Sequence, residues 1–107
     1  MGVTIKSAGD TLVVYLSGEI DHHSAVPIRQ KIDDVITVNK PKYLILDFKG
    51  VSFMDSSGIG LVMGRYRTLL SCHGQLEIRN VSHQTKKVME LAGLSSIAPS
   101  KEKSNEV

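Results

Sequence analysis

The chain contains 107 residues, which is enough for one compact domain with a hydrophobic core and too few for two. Apolar residues make up 41% and charged residues 22%, as in an ordinary globular protein, and a scattered net charge of +2 argues against nucleic-acid binding. Because there is one cysteine, no apolar run near the roughly 20 residues that span a bilayer and no signal-peptide pattern, we predict a cytoplasmic protein without membrane contact or an intrachain disulfide.

The first part of the chain is predicted to be a hairpin, a loop and a helix. Residues 3–7 alternate apolar and polar side chains, and residues 12–16 are rich in β-branched and aromatic ones, so both are expected to be strands. Residues 17–24 are polar and are predicted to be a loop. From Ala25 onward apolar residues recur at helical spacing, which predicts a helix with Pro27 in its first turn.

The central part is predicted to be a buried strand, a loop and a second helix. Residues 43–48 form an apolar run that is typical of a buried strand, and helical spacing extends from Ser57 to about Ser71. Gly60 and Gly64 lie within that helix, where each costs about 1 kcal/mol relative to alanine. We expect close packing against the sheet or against a partner to offset this cost.

The last part is predicted to contain a strand, a helix and a short strand. Residues 75–79 alternate like a strand, and Ser82 is expected to cap a third helix that ends before a left-handed C-cap at Gly93. Residues 96–98 are a candidate last strand. The residues of the third helix expected to face inward are Val88, Leu91 and Ala92.

The predicted element order is β-β-α-β-α-β-α-β. Strands that alternate with helices form right-handed crossovers and parallel pairs, and the opening hairpin adds an antiparallel member. We therefore predict an α/β fold with a mixed, mainly parallel sheet and helices packed against it. The domain is expected to span residues 1–98, and residues 99–107 are polar and expected to be a disordered tail.

The segment Asp55-Ser56-Ser57 lies where the loop after the buried strand meets the second helix. Two interpretations are open for its hydroxyl groups. A serine here can be an N-cap, which accepts hydrogen bonds from unpaired backbone N–H groups of the first turn. Alternatively, a hydroxyl at the positive end of a helix is a favourable place for a phosphate.

Other chemistry receives little support from the sequence. Gly58-Ile59-Gly60 lacks the rest of a phosphate-binding loop, and the adjacent His22 and His23 are not spaced like metal ligands and are expected to shape a loop or meet a partner. Ser56 is not within G-x-S-x-G, and nothing positions His83 as its base. We predict no metal, no cofactor and no enzymatic activity, with a Ser56-dependent hydrolytic or nucleotide-handling enzyme as the alternative.

Two motifs carry a resemblance to a known family. Residues 52–60, followed by Gly64-Arg65-Tyr66, resemble the signature of the STAS domain, especially in anti-sigma factor antagonists of sporulating bacteria. Residues 18–23 independently resemble the loop after the second strand in the antagonists of the sigma F system. The resemblance covers residues 1–97 and implies a STAS-type fold, whereas the short polar segment from Pro99 onward departs from the C-terminal helix of the family.

The resemblance implies a protein-binding switch. The unphosphorylated antagonist would bind an anti-sigma factor, which is an ATP-dependent serine kinase, and thereby release a sigma factor. That kinase would phosphorylate the serine that follows Asp55, which is Ser56, and a serine phosphatase would reverse the reaction. A STAS module in another signalling complex is the variant of this hypothesis.

The same resemblance and the local chemistry select the remaining partner-binding candidates. Glu19 and Asp21 are expected to lie near Ser56 and, together with Asp55, to make that surface acidic. Met54 and Leu61 are candidates for an apolar centre of the interface, because Leu61 lies off the main inward stripe of its predicted helix. Packing within the protein is the alternative for both. Ser57 and Gly58 are included as neighbours of Ser56.

Overall fold

The computed structural model describes residues 2–94 and 100–102, which form a five-stranded sheet with three helices packed against it. The element order is the predicted one, β-β-α-β-α-β-α-β. The elements are β1 (Gly2–Ala8), β2 (Thr11–Ile20), α1 (His22–Asn39), β3 (Tyr43–Met54), α2 (Ser56–Ser71), β4 (Gln75–Val81), α3 (His83–Leu91) and β5 (Ser100–Glu102).

The sheet is mixed and mainly parallel, which confirms the predicted fold class. Its strands lie in the order β1-β2-β3-β4-β5, and only the β1–β2 pair is antiparallel. In the central β3, Leu44 is paired with Leu12 of β2 and with Leu76 of β4. All three side chains are buried, because the helices cover this face of the sheet with apolar residues. The buried residues of α1 are Ile28, Ile32 and Ile36, and those of α2 include Leu61, Val62 and Leu69.

The strands β2 and β3 extend further than predicted. Residues 17–20 and 51–54, which were expected to be loops, pair with each other up to Ile20 and Met54. Register shifts interrupt this pairing, and Gly50 lies so close to β2 that an added Cβ would be 2.9 Å from the Leu16 carbonyl oxygen. Ser17, Gly18 and Gly50 interrupt the strand-favouring residues of these segments, so the extension was not predicted from the sequence.

Helix α1 begins three residues earlier than predicted. Asp21 is its N-cap, so His22 and His23 lie in the first helical turn and the prediction that they belong to a loop is wrong. The prediction for Pro27 is also wrong, because this residue lies in the second turn. There it removes the backbone N–H that would bond to the carbonyl of His23.

Helix α3 has a different buried face from the one predicted. Met89 is fully buried, whereas Val88 is 41% and Leu91 is 90% exposed, so the predicted inward face of Val88, Leu91 and Ala92 is wrong. The left-handed conformation expected at Gly93 is confirmed by its φ of 80°. The apolar periodicity of this short helix was too weak to fix its rotation.

The last strand pairs with β4 at Ser100–Glu102. It lies inside the segment 99–107 that was expected to be disordered, and that expectation is wrong for these three residues. The strand predicted at residues 96–98 lies outside the described residues. The domain boundary at residue 98 therefore stays a prediction.

Candidate functional site

Asp55 forms the N-cap of helix α2. Its carboxylate accepts a hydrogen bond from the backbone N–H of Ser57 at 2.8 Å, and its own N–H donates to the carbonyl of Ile20 at 3.1 Å. The cap is therefore held by the neighbouring strand β2 as well as by the helix. The interpretation of Ser56 or Ser57 as the N-cap is wrong.

Ser56 is the first residue of α2, and its side chain is exposed. The hydroxyl makes no hydrogen bond with any described residue. Asp55 already supplies the capping oxygen, so the helix end does not need the hydroxyl of Ser56 as a hydrogen-bond acceptor. Ser57, in contrast, is half-buried. The arrangement presents one hydroxyl to solvent at the positive end of a helix dipole.

A second helix N-terminus lies next to the first. Because Ile20 is paired with Met54 in parallel strands, the two N-caps that follow them, Asp21 and Asp55, lie at the same edge of the sheet. Glu19, one residue before Ile20, is exposed at this edge as well. We call the surface formed by Glu19, Asp21, Asp55 and Ser56 the cap surface. The structure thus brings together the acidic residues and the serine selected from the sequence.

Asp21 closes a complete capping box. Its carboxylate accepts hydrogen bonds from the backbone N–H of Ser24 at 2.9 Å and of His23 at 3.0 Å. In return, the N–H of Asp21 donates to the hydroxyl of Ser24 at 2.9 Å. The hydrogen bond from the backbone of Ser24 is the main cause that lowers the pKa of Asp21 below its usual value. This carboxylate is therefore ionised at neutral pH.

Met54 and Gly58 pack against each other at the first turn of α2. Gly58 is buried, and an added Cβ would overlap Cγ and Sδ of Met54. Glycine at position 58 therefore lets the half-buried Met54 side chain lie across the helix end. This contact fixes the turn that carries Ser56 against the end of β3.

Leu61 is not an exposed interface residue. Its side chain is only 3% exposed and belongs to the hydrophobic core. The prediction that it lies off the inward stripe of α2 is wrong because α2 packs against α1 as well as against the sheet, which widens its buried face. Leu61 lies at the bottom of a groove between these two helices.

This α1–α2 groove has a volume of about 250 Å³. Residues of both helices line it: His22, Val26, Arg29, Ser57, Gly60 and Leu61. An added Cβ at Gly60 or Gly64 would meet no atom within 4 Å apart from the adjoining backbone of α2. Close packing against the sheet therefore does not explain these glycines, and that part of the prediction is wrong, while packing against a partner stays a prediction.

Beside the groove, an ion pair between a buried arginine and a half-buried aspartate joins α1 and α2. Arg65 is only 4% exposed, and its Nε lies 2.7 Å from Oδ1 of Asp33, although the N–H is not directed at that oxygen. Burial lowers the pKa of Arg65, Asp33 opposes this shift, and the nearby positive charge of Arg29 adds to it. This pair was not predicted from the sequence. The available signal was that Arg65 is four residues from both Leu61 and Leu69, in an inward stripe.

Arrangements for other chemistry are absent from the described part of the chain. Residues 2–94 and 100–102 contain no cluster of three His, Cys, Asp or Glu side chains that could hold a metal ion. Within the same residues, the hydroxyl of Ser56 has no hydrogen bond to a histidine that could serve as its base. None of the described helices is both long enough and apolar enough to span a bilayer.

Comparison with known proteins gives consistent matches over most of the chain. The STAS domain family model matches residues 3–107. An anti-sigma F factor antagonist of Lysinibacillus sphaericus is 42% identical over 85 residues, which cover 79% of this chain and 73% of that protein.

Two solved structures have the same fold. The anti-sigma factor antagonist SpoIIAA in its unphosphorylated form has a TM-score of 0.82 at 36% identity, covering 92% of this chain and 87% of that one. The Bacillus cell fate determinant SpoIIAA in the phosphorylated form has a TM-score of 0.75 at 36% identity, with 92% and 90% covered.

Proposed function

We propose, from the premise that the chain belongs to the STAS domain family, that it is an anti-sigma factor antagonist controlled by phosphorylation of Ser56. In its unphosphorylated form it binds an anti-sigma factor and so releases a sigma factor. The anti-sigma factor is also an ATP-dependent serine kinase, and a serine phosphatase reverses the modification. Both reactions take place in the cytoplasm.

The observation that carries this proposal is that the hydroxyl of Ser56 is exposed and makes no hydrogen bond with any described residue. A kinase has to bring the γ-phosphorus of ATP within reach of the serine oxygen. The γ-phosphoryl group then moves to Ser56 Oγ, ADP leaves, and a base on the kinase takes the hydroxyl proton. Ser57 is the neighbouring hydroxyl, but it is half-buried and lines the α1–α2 groove.

Phosphorylation at Ser56 is expected to leave the fold unchanged. The phosphate would lie at the N-terminus of α2, where the helix dipole favours it by roughly 0.3–1 kcal/mol. No hydrogen bond of the described structure has to break, because Asp55 holds the cap. The likeness of this chain to SpoIIAA structures in the unphosphorylated and phosphorylated forms supports a fold that tolerates the modification.

The effect of the phosphate is therefore expected to lie in partner binding. A phosphate adds about −1.5 to −2 charges to a cap surface that already carries Glu19, Asp21 and Asp55. Against an acidic or apolar patch of the anti-sigma factor, this can cost about 3 kcal/mol, which is on the order of a hundredfold in affinity. Met54 contributes a half-buried apolar contact beside Ser56, next to Gly58.

The test is to incubate the protein with its cognate anti-sigma factor and ATP and to measure the intact mass. We expect one added phosphate in the wild type and in Ser57→Ala, and none in Ser56→Ala. Unmodified Ser56→Ala should bind the anti-sigma factor as the wild type does. Phosphorylation of Ser56→Ala at the wild-type rate would contradict the proposal. Turnover of a nucleotide or ester by the isolated protein, lost in Ser56→Ala, would favour the enzyme alternative.

A further inference from the structure

We propose that the α1–α2 groove receives an acidic, amphipathic segment of the anti-sigma factor, and that Arg29 pairs with a carboxylate of this segment. The inference rests on the proposed function, because the partner is the same protein. It adds a second point of recognition that lies beside the cap surface and has the opposite charge.

The charge of the groove selects the chemistry of the occupant. Arg29 is exposed and makes no hydrogen bond or ion pair with any described residue. Asp33 lies one turn further along α1, but its carboxylate is 2.7 Å from Arg65 and is therefore engaged. The groove thus presents the unpaired guanidinium of Arg29 beside an Arg65 that Asp33 already neutralises, and a carboxylate is the complement of that one free charge.

The lining of the groove also favours an occupant with an apolar face. Val26 is 42% exposed at one wall, and the buried Leu61 lies at the bottom. On the other wall, Gly60 leaves open space where a side chain would otherwise stand. An apolar helix face with an acidic residue can therefore approach α2 closely and place its carboxylate at Arg29. This would explain why glycine occupies a helical position without a packing reason inside the molecule.

The groove and the modified hydroxyl have separate roles. Ser57 lines the groove, whereas Ser56 is exposed on the cap surface. A phosphate on Ser56 would change the charge beside the groove without filling it. Loss of Arg29 should therefore weaken capture of the partner and leave the transfer step intact.

The test is a titration of the purified cognate anti-sigma factor with four variants of the full chain. We expect Arg29→Glu to raise Kd about twentyfold or more and Arg29→Lys to stay within about threefold of the wild type. Gly60→Leu, which fills the groove from the other wall, should also raise Kd about tenfold or more. The matched control is Lys42→Glu, a charge reversal at the opposite edge of the sheet, which should change Kd by less than about twofold.

Kinetics of phosphorylation give a second readout. For Arg29→Glu, the KM of the kinase for this protein should rise with Kd, while kcat at saturation stays at the wild-type value. Circular dichroism of each variant checks that the fold is intact.

The outcomes separate this inference from the proposed function. If the wild-type protein neither binds the anti-sigma factor nor accepts phosphate at Ser56, the proposed function fails and the inference fails with it. If the wild type does both, and folded Arg29→Glu and Gly60→Leu bind within about twofold of it, the groove inference is overturned and the proposed function stands.

Discussion

The N-termini of helices α1 and α2 have the same kind of cap but differ at their third helical position. Each follows a strand of the same parallel pair, and each is capped by an aspartate, Asp21 or Asp55. At the third helical position, however, α1 has Ser24 and α2 has Gly58. The hydroxyl of Ser24 bonds back to the cap and also donates to the carbonyl of Glu19 at 2.9 Å.

This difference separates a structural serine from an available one. In α1 the serine is positioned to complete the capping box, so its hydroxyl is engaged. In α2 the serine stands at the first helical position, and its hydroxyl stays exposed and unbonded. Two sequences that both predict a helix N-terminus can therefore differ in whether the serine hydroxyl is hydrogen-bonded within the protein or exposed to solvent.

The largest effect is expected from charge at Ser56. Phosphorylation should lower the affinity for the anti-sigma factor about a hundredfold, and Ser56→Asp, with a smaller charge, about tenfold. Neither change should lower the melting temperature, because a negative group is favourable at a helix N-terminus. Isothermal titration and thermal unfolding check the two parts. Normal binding by the phosphorylated protein would contradict the electrostatic mechanism.

The next effect concerns Gly58, which stands at the third position of α2 where α1 has Ser24. Gly58→Ala should destabilise the protein by about 1 kcal/mol, since the overlap with Met54 exceeds the gain in helix propensity. Gly60→Ala is the matched control and should stabilise by up to about 1 kcal/mol, because its Cβ meets no atom within 4 Å. Urea unfolding of both variants measures the difference. Equal changes in the two would argue against the Met54–Gly58 contact.

A smaller effect separates the two serines themselves. Ser24→Ala should lower the free energy of unfolding by about 1 kcal/mol, because the capping box and the bond to Glu19 are lost. Ser56→Ala should change it by less than about 0.5 kcal/mol. Chemical denaturation of both variants tests the contrast. A comparable loss in Ser56→Ala would mean that the hydroxyl of Ser56 has a structural partner.

The smallest effect is the pH dependence of the α1 cap. The pKa of Asp21 is lowered in the folded protein, mainly by the backbone N–H of Ser24. Its stabilising contribution is therefore complete above the unfolded pKa near 3.8 and is lost as pH falls through the lower folded value. Asp21→Asn should flatten the acid limb of a plot of stability against pH. An unchanged limb in this variant would argue against the carboxylate as the origin.

Element order and sheet type could be predicted from the sequence, because the apolar runs and the Gly-containing turns are strong local signals. Element ends could not. The strand extensions to Ile20 and Met54 depend on pairing between two distant segments rather than on their own composition. The cap at Asp21 was hidden for the same reason, since it follows that extension.

The candidate site was predictable in its residues and less so in their roles. Ser56, Asp55, Asp21 and Glu19 do lie together, as the motifs indicated. The burial of Leu61 and Arg65 depends on how α1 and α2 pack, and a single-helix pattern does not contain that information. The open α1–α2 groove depends on the packing of both helices, so the pattern of neither helix alone predicts it.

In the proposed function, phosphorylation of the Ser56 hydroxyl controls whether the anti-sigma factor binds the cap surface. The most direct measurement is the Kd for the cognate anti-sigma factor before and after enzymatic phosphorylation, in the wild type and in Ser57→Ala. We predict about a hundredfold weaker binding after phosphorylation in both proteins. Phosphorylation that leaves Kd unchanged, or an effect that disappears in Ser57→Ala, would contradict the account.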